Sequence, residues 1–131
     1  MSTFNAIGVA GTGVTVYRKW LDAVSDNIAN IDNVTRTSEN AFQARYVVAQ
    51  EAQDGNGAQV GGIAYGSAEG KLSYEPDNPL ADTEGYVRRP DIDLGSQMAQ
   101  MIMAQRAYQA NLAVVDRARD SYSAAINLGK A

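Results

Sequence analysis

The chain has 131 residues, 45% of them hydrophobic and 20% charged, enough for one soluble domain and too few for two. It has neither cysteine nor histidine, which removes disulfides, thiolate nucleophiles, histidine triads and nearly all zinc sites together, and no apolar run approaches the roughly 18 residues of a membrane span. The net charge of −4 sits wholly in the middle: residues 37–90 carry eight acidic and four basic side chains, whereas 1–36 and 91–131 are each balanced, so the ends can pack on copies of themselves without repulsion and offer no basic stripe to a nucleic acid.

Met1–Ala10 has no basic residue and no long apolar block, so a secretory signal peptide is not expected and export would need another route. Val14, Tyr17, Leu21, Val24, Ile28 and Ile31 then follow at alternating spacings of three and four, the seam period of a coiled coil. This predicts a firm helix from Val14 to Ala29. The seam extends backwards through Ala10 and Ile7, but Gly8, Gly11 and Gly13 each cost about 1 kcal/mol relative to alanine in a helix. Two readings of those glycines stand side by side: a flexible terminus, or a face stripped of bulk so that a neighbour can come close.

Residues 37–90 change character. Phe42, Ala44, Tyr46 and Val48 alternate with Gln43, Arg45 and Val47, the pattern of a strand. Asp54–Gly62, rich in Gly, Asn and Gln, reads as a loop. Short strands are expected over Gly61–Gly66 and Gly70–Tyr74, a turn-rich stretch from Glu75 to Glu84 around Pro76 and Pro79, and one more extended piece at Tyr86–Val87. About 50 residues with few large aliphatics make a thin core that would not fold securely alone.

The last segment returns to the seam period. Leu94, Met98, Met101, Gln105, Tyr108, Leu112, Val115, Arg119, Tyr122 and Ile126 alternate by four and three, with Asp93 placed to cap the start and Gly129–Lys130 to end it. A continuous helix over 94–128 would be roughly 50 Å long, more than a compact domain of this size spans, so it projects or packs against something outside the chain. Its two polar seam positions, Gln105 and Arg119, read either as choices of register and partner or as side chains that snorkel at the edge of a wider apolar face. The fold expected is mainly α: an N-terminal helical segment (1–36) and a C-terminal helix (91–131) pairing antiparallel in a coiled-coil-like bundle, with a small β-rich insert (37–90). Alanines on the remaining faces, among them Ala99, Ala104, Ala107, Ala110, Ala113 and Ala118, leave room for the close approach of further copies, as a helical, heterologous polymer requires.

Particular residues carry a resemblance. Leu21 to Asn30, Leu-Asp-Ala-Val-Ser-Asp-Asn-Ile-Ala-Asn, resembles the N-terminal motif of flagellar rod, hook and hook-associated axial proteins. Asp91–Leu94, Met98, Met101–Ile102 and Ala104–Asn111 resemble the C-terminal motif of the same family. Tyr74–Pro79, Ala81–Asp82, Gly85–Arg88 and Pro90, with Ile31–Thr35, resemble its proximal-rod branch. The chain departs from the pattern at Asp26, usually Asn, at Gln97, usually acidic, and over Arg36–Ala41, which lacks the usual glycine-rich turn.

The resemblance implies a structural subunit of the drive shaft between basal body and hook, without catalysis, cofactor, metal or nucleic acid, and with no direct insertion into membrane. It implies passage through the flagellar type III export apparatus, largely unfolded, and assembly in the periplasm. The implied partners are further copies, the rod proteins FlgB, FlgF and FlgG, and the rod adaptor FliE. An early Phe followed four positions on by a hydrophobic residue is frequent in exported members; here Phe4 is followed by Gly8, so the pattern is incomplete. The expected assembly interface is Val14, Tyr17, Leu21, Val24, Asn27, Ile28, Asn30, Leu94, Met98, Met101, Gln105, Tyr108, Leu112, Val115, Tyr122 and Ile126.

Sharper chemistry fits poorly. Gly8–Gly13 matches neither dinucleotide nor P-loop spacing, and no strand precedes it. Asp91, Asp93 and Gly95 lack the glycine and glutamate that a calcium loop needs at its sixth and twelfth positions, where Ser96 and Ile102 stand. Asn33–Thr35 matches a glycosylation sequon that is frequent by chance. Glu75, Asp77, Asp82 and Glu84 read as a solvated acidic turn before they read as catalytic carboxylates. Met98, Met101 and Met103 read as helix packing. The competing functions are a stably dimeric coiled-coil binding or export-chaperone module, and a small carboxylate hydrolase for which the thin middle offers little room.

Overall fold

The computed structural model describes residues 3–130, with side chains from Asn5 to Lys130; the Phe4 side chain, and with it the incomplete export pattern, lies outside the described residues. Six elements follow in order: α1 (Thr3–Ala29), β1 (Arg45–Glu51), β2 (Ala58–Tyr65), β3 (Lys71–Tyr74), β4 (Tyr86–Arg89) and α2 (Leu94–Gly129). Two long helices thus flank a small β-rich middle, in which β1 pairs with β2 and β3 with β4 in separate two-stranded sheets. The contacts group into two units. One joins residues up to Leu21 with Val47–Gly62 and residues from Ile102 onward; the other joins Asp22–Tyr46 with Ile63–Met101.

In the first unit α1 runs unbroken through Gly8, Gly11 and Gly13, so the helix starts well before Val14. A side chain added at Gly8 or Gly11 would meet nothing within 4 Å, but one at Gly13 would stand 2.6 Å from Asn111 Oδ1. Helix α2 therefore lies against α1 at Gly13, where the missing Cβ makes the room. Thr12 ties the β1–β2 loop to the same helix: its hydroxyl donates to the Val9 carbonyl at 2.7 Å and accepts the Ala58 N–H at 3.1 Å. Gly57, at φ +103°, passes so close to Thr12 that a Cβ would come within 2.3 Å of its Oγ1. The loop expected over Asp54–Gly62 ends at Gly57, and Ala58–Gly62 already belongs to β2. Sequence propensity disfavours a strand there; ladder pairing with β1 and the Thr12 hydroxyl supply the partners that override it.

In the second unit β3 and β4 form an antiparallel pair with Lys71 opposite Arg89 and Tyr74 opposite Tyr86, whose rings meet edge to face at 5.3 Å. The connection is built from side-chain-closed turns. Asn78 Oδ1 accepts the Leu80 N–H at 3.0 Å, and Asp82 Oδ1 accepts the N–H groups of Glu84 and Tyr86 at 3.0 and 2.9 Å. Thr35 bridges Arg88 on the far side of β4. The Arg88 guanidinium donates to the carbonyls of Thr37, at 2.8 Å, and Glu69, which fixes the path of the 36–41 segment. Val87 is fully buried, and Ala23, Val24, Ala41, Ala44 and Ile92 are the other buried apolar side chains described in this unit. Helix α2 begins as its cap predicts, the Ser96 N–H donating to Asp93 Oδ2 at 2.7 Å.

Candidate assembly surface

Three heptad rows run along α2. The inward row is Gln97, Ala104, Asn111 and Ala118; Gln97 and Ala104 are buried, and Asn111 and Ala118 half-buried. The middle row, Met101, Tyr108 and Val115, is half-buried. The outward row is Met98, Gln105, Leu112, Arg119 and Ile126, and all five are exposed. So the chain covers the row with the smallest side chains. Methionine, leucine and isoleucine are left in the open, with Met98 at 53% and Leu112 and Ile126 at 40% exposure. The physical reason is helix spacing: alanine on the inward row and glycine at position 13 allow close approach, which bulky side chains would prevent.

Of the residues expected at an interface, the second unit holds Val24, Asn27, Ile28, Asn30, Leu94, Met98 and Met101. Val24 and Asn27 are buried within the chain, at 1% and 0% exposure. Ile28, Asn30 and Met101 are half-buried, and Leu94 and Met98 are exposed. The Asn30 amide is turned back to the Asp26 carbonyl at 2.8 Å. The first unit holds the rest: Val14, Tyr17, Leu21, Tyr108 and Val115 are half-buried, and Gln105, Leu112, Tyr122 and Ile126 are exposed. Sequence periodicity did not single out Gln97, Asn111 or Gly13, because a polar, a polar and a null side chain carry no apolar signal.

The first unit also has an apolar groove of about 210 Å³, lined by Gly13, Val16, Tyr17 and Trp20 of α1 and by Val47, Ala49 and Ala58. The Tyr17 and Trp20 rings stack along it with centroids 6.0 Å apart. Among the described residues no three of His, Cys, Asp or Glu converge to hold a metal ion, and no helix is long and apolar enough to cross a membrane.

The acidic turn is engaged internally. Glu75 accepts from Arg89 Nε at 2.7 Å and from Asn78 Nδ2 at 2.9 Å, and these bonds, Arg89 first, hold its carboxyl at about 2. Asp82 is likewise held below the usual carboxylate range, by the Tyr86 N–H first and by the Thr37 hydroxyl. A general acid needs the opposite shift, so these two carboxylates act as turn supports. Lys71 pairs with Asp91 at 2.7 Å and is raised by that bond.

Residues 83–128 match the family described as flagellar basal body rod FlgEFG protein C-terminal. Over its whole length the chain is similar to flagellar basal-body rod proteins named FlgC. It is 34% identical to that of Salmonella typhimurium, over 99% of this chain and 100% of the relative. It is 30% identical to that of Borreliella burgdorferi, over 96% and 97%, and 26% identical to that of Bacillus subtilis, over 99% and 100%.

Proposed function

The chain belongs to the FlgC family of flagellar basal-body rod proteins, and from that premise we propose that this structural rod subunit polymerises through its two terminal helices and passes motor torque along the rod. Residues 1–36 and 91–131 form the rod core in this reading, and 37–90 a side insert. The outward heptad row of α2 carries it: Met98, Leu112 and Ile126 are exposed at two-heptad intervals along one face. Apolar area of that kind is a liability in a lone molecule and is stabilising once covered by neighbours. The two polar members of the row, Gln105 and Arg119, then discriminate among those neighbours.

Antiparallel pairing of α1 and α2 has two supports. Gly13 stands against Asn111, and Asn27 is hydrogen-bonded to Gln97. Each unit thus contributes one contact between the two helices to this reading. The neighbours are further copies and other rod proteins, FlgB, FlgF and FlgG, with FliE as the adaptor at the base. The chain reaches the periplasm through the flagellar type III apparatus and works there as a support, since torque transmission needs close-packed helices and no reacting group.

The experiment is replacement of the resident gene by Leu112→Glu or Ile126→Glu. Both side chains are exposed, so helix content in the isolated chain should be unchanged, while swimming and the yield of complete basal bodies should collapse. Normal swimming by either variant, or by cells lacking the chain, would overturn the reading.

A further inference from the structure

We infer that Asn27 and Gln97 set the register in which α1 and α2 pair, a role that matters to assembly only if the rod reading above holds. Asn27 is 0% exposed and Gln97 2%. The Asn27 amide donates to Gln97 Oε1 at 3.0 Å and to the Arg45 carbonyl at 2.9 Å, and its Oδ1 accepts the Arg45 N–H at 2.7 Å. Arg45 is gripped again by its side chain, which bonds to Asp26 at 2.8 Å and lies over the Phe42 ring at 5.8 Å. One residue of α1 therefore holds α2 and the first residue of β1 at once.

Apolar packing alone discriminates weakly between registers. The inward row of α2 alternates polar and alanine side chains, Gln97, Ala104, Asn111 and Ala118, so a slip of one heptad toward the C-terminus still offers α1 nothing larger than asparagine. It does change what faces Asn27. Ala104 would replace Gln97, and a slip the other way would bring Pro90, which precedes the helix. In both, Asn27 keeps its two bonds to Arg45 but the bond between the two buried amides is lost, a cost that corresponds to roughly 5- to 150-fold in population. A slip also moves the outward row about 10 Å along the axis relative to α1, out of line with whatever the neighbours present. The Asn27–Gln97 pair is thus a positioning device: it spends a polar contact on specifying one alignment among several of similar packing.

The chain has no cysteine of its own, so introduced pairs report cleanly. Gly13→Cys would be combined with Asn111→Cys, Ala104→Cys or Ala118→Cys, the last two carrying Asn111→Ala so that position 13 has equal room. A Cβ at position 13 stands 2.9 Å from Asn111 Cγ, close enough for a bridge between the first pair. The full-length chain is oxidised in trimethylamine N-oxide, at a concentration where circular dichroism reports both helices, and crosslinks are counted by mass spectrometry. With Asn27 and Gln97 intact, the 13–111 bridge should exceed the other two by about tenfold. In Asn27→Leu/Gln97→Leu the helices should persist and the three bridges should form within about threefold of one another. The swapped pair Asn27→Gln/Gln97→Asn should recover most of the preference.

A helical parent chain that bridges all three pairs alike, or a double-leucine chain that keeps the 13–111 preference, overturns the inference. Should the double-leucine chain not fold, Gln97→Met alone decides the matter: it removes the interhelical bond and leaves Asn27 its two bonds to Arg45, so an undiminished preference is equally fatal. Swimming is scored separately. Cells that swim without the chain sink the rod reading and leave the crosslink pattern untouched.

Discussion

Gly70 has the tightest surroundings of the glycines in the second unit. Its φ is +58°, and a Cβ would lie 2.1 Å from the Arg89 carbonyl oxygen and 2.6 Å from the Ala41 methyl. Gly70→Ala therefore combines a left-handed backbone with a clash against main chain and should destabilise this unit by about 2–3 kcal/mol. Gly62→Ala meets nothing within 4 Å and serves as the control. Urea unfolding followed by circular dichroism separates the two. At Glu75 the observable is acid stability. Its carboxyl titrates at about 2 in the folded chain against 4.5 in the free group, because Arg89 and Asn78 bond the ionised form. A depressed carboxylate adds stability that is fully present above pH 4.5 and is lost as pH falls toward 2. The melting temperature should accordingly fall between those values in the parent chain, and Glu75→Gln should flatten that part of the profile. An unchanged slope in the glutamine variant would mean that the Arg89 bond is not formed in solution.

Helices and strands were legible to different depths. The Asp93 cap, the stop at Gly129 and the period of both helices follow from local chemistry, whereas α1 starts at Thr3, well before the Val14 from which a firm helix is expected. Strands β3 and β4 and the Pro76–Pro79 turns were equally readable, since alternation and turn residues act locally. What failed depends on a partner outside the segment. Ala58–Gly62 is a strand because β1 and Thr12 satisfy its backbone, which no glycine- and glutamine-rich sequence announces. Along α2 the apolar period located the helix but not its inward face, because the period weighs side-chain size while close packing rewards its absence. Hence Ala104 is buried and Leu112 is exposed. The α1 glycines give the test at this scale. Gly8→Ala and Gly11→Ala add helix propensity into open space and should each stabilise α1 by up to about 1 kcal/mol. Gly13→Ala gains the same propensity but makes the Asn111 side chain shift, so the gain seen at the other two positions should be lost. Helix content by circular dichroism in the three variants checks the order; a rise at Gly13 would mean that Asn111 yields without cost.

Across the whole molecule, the burial is too slight for the helix it must hold in place. The buried apolar side chains among the described residues are Ala10, Val16, Ala23, Val24, Ala41, Ala44, Val87, Ile92 and Ala104, none larger than isoleucine. Against that stand helices of 27 and 36 residues, and from Asp116 onward α2 has only Ala118 even half-buried. Ordering a residue costs about 1–2 kcal/mol of backbone entropy, and an isolated helix with one uncovered face is marginal in water. The exposed outward row cannot offset that cost until another surface covers it. The dilute chain should therefore show far less ellipticity than its two helices would give in full, and the α2 end should exchange its amide hydrogens first. Ellipticity should climb on addition of an excluded osmolyte, which favours buried over exposed surface. A dilute, monomeric chain with both helices complete and the 116–129 amides protected would contradict this. It would mean that the outward row needs no neighbour, and a rod subunit with that property would have no energetic reason to assemble through it.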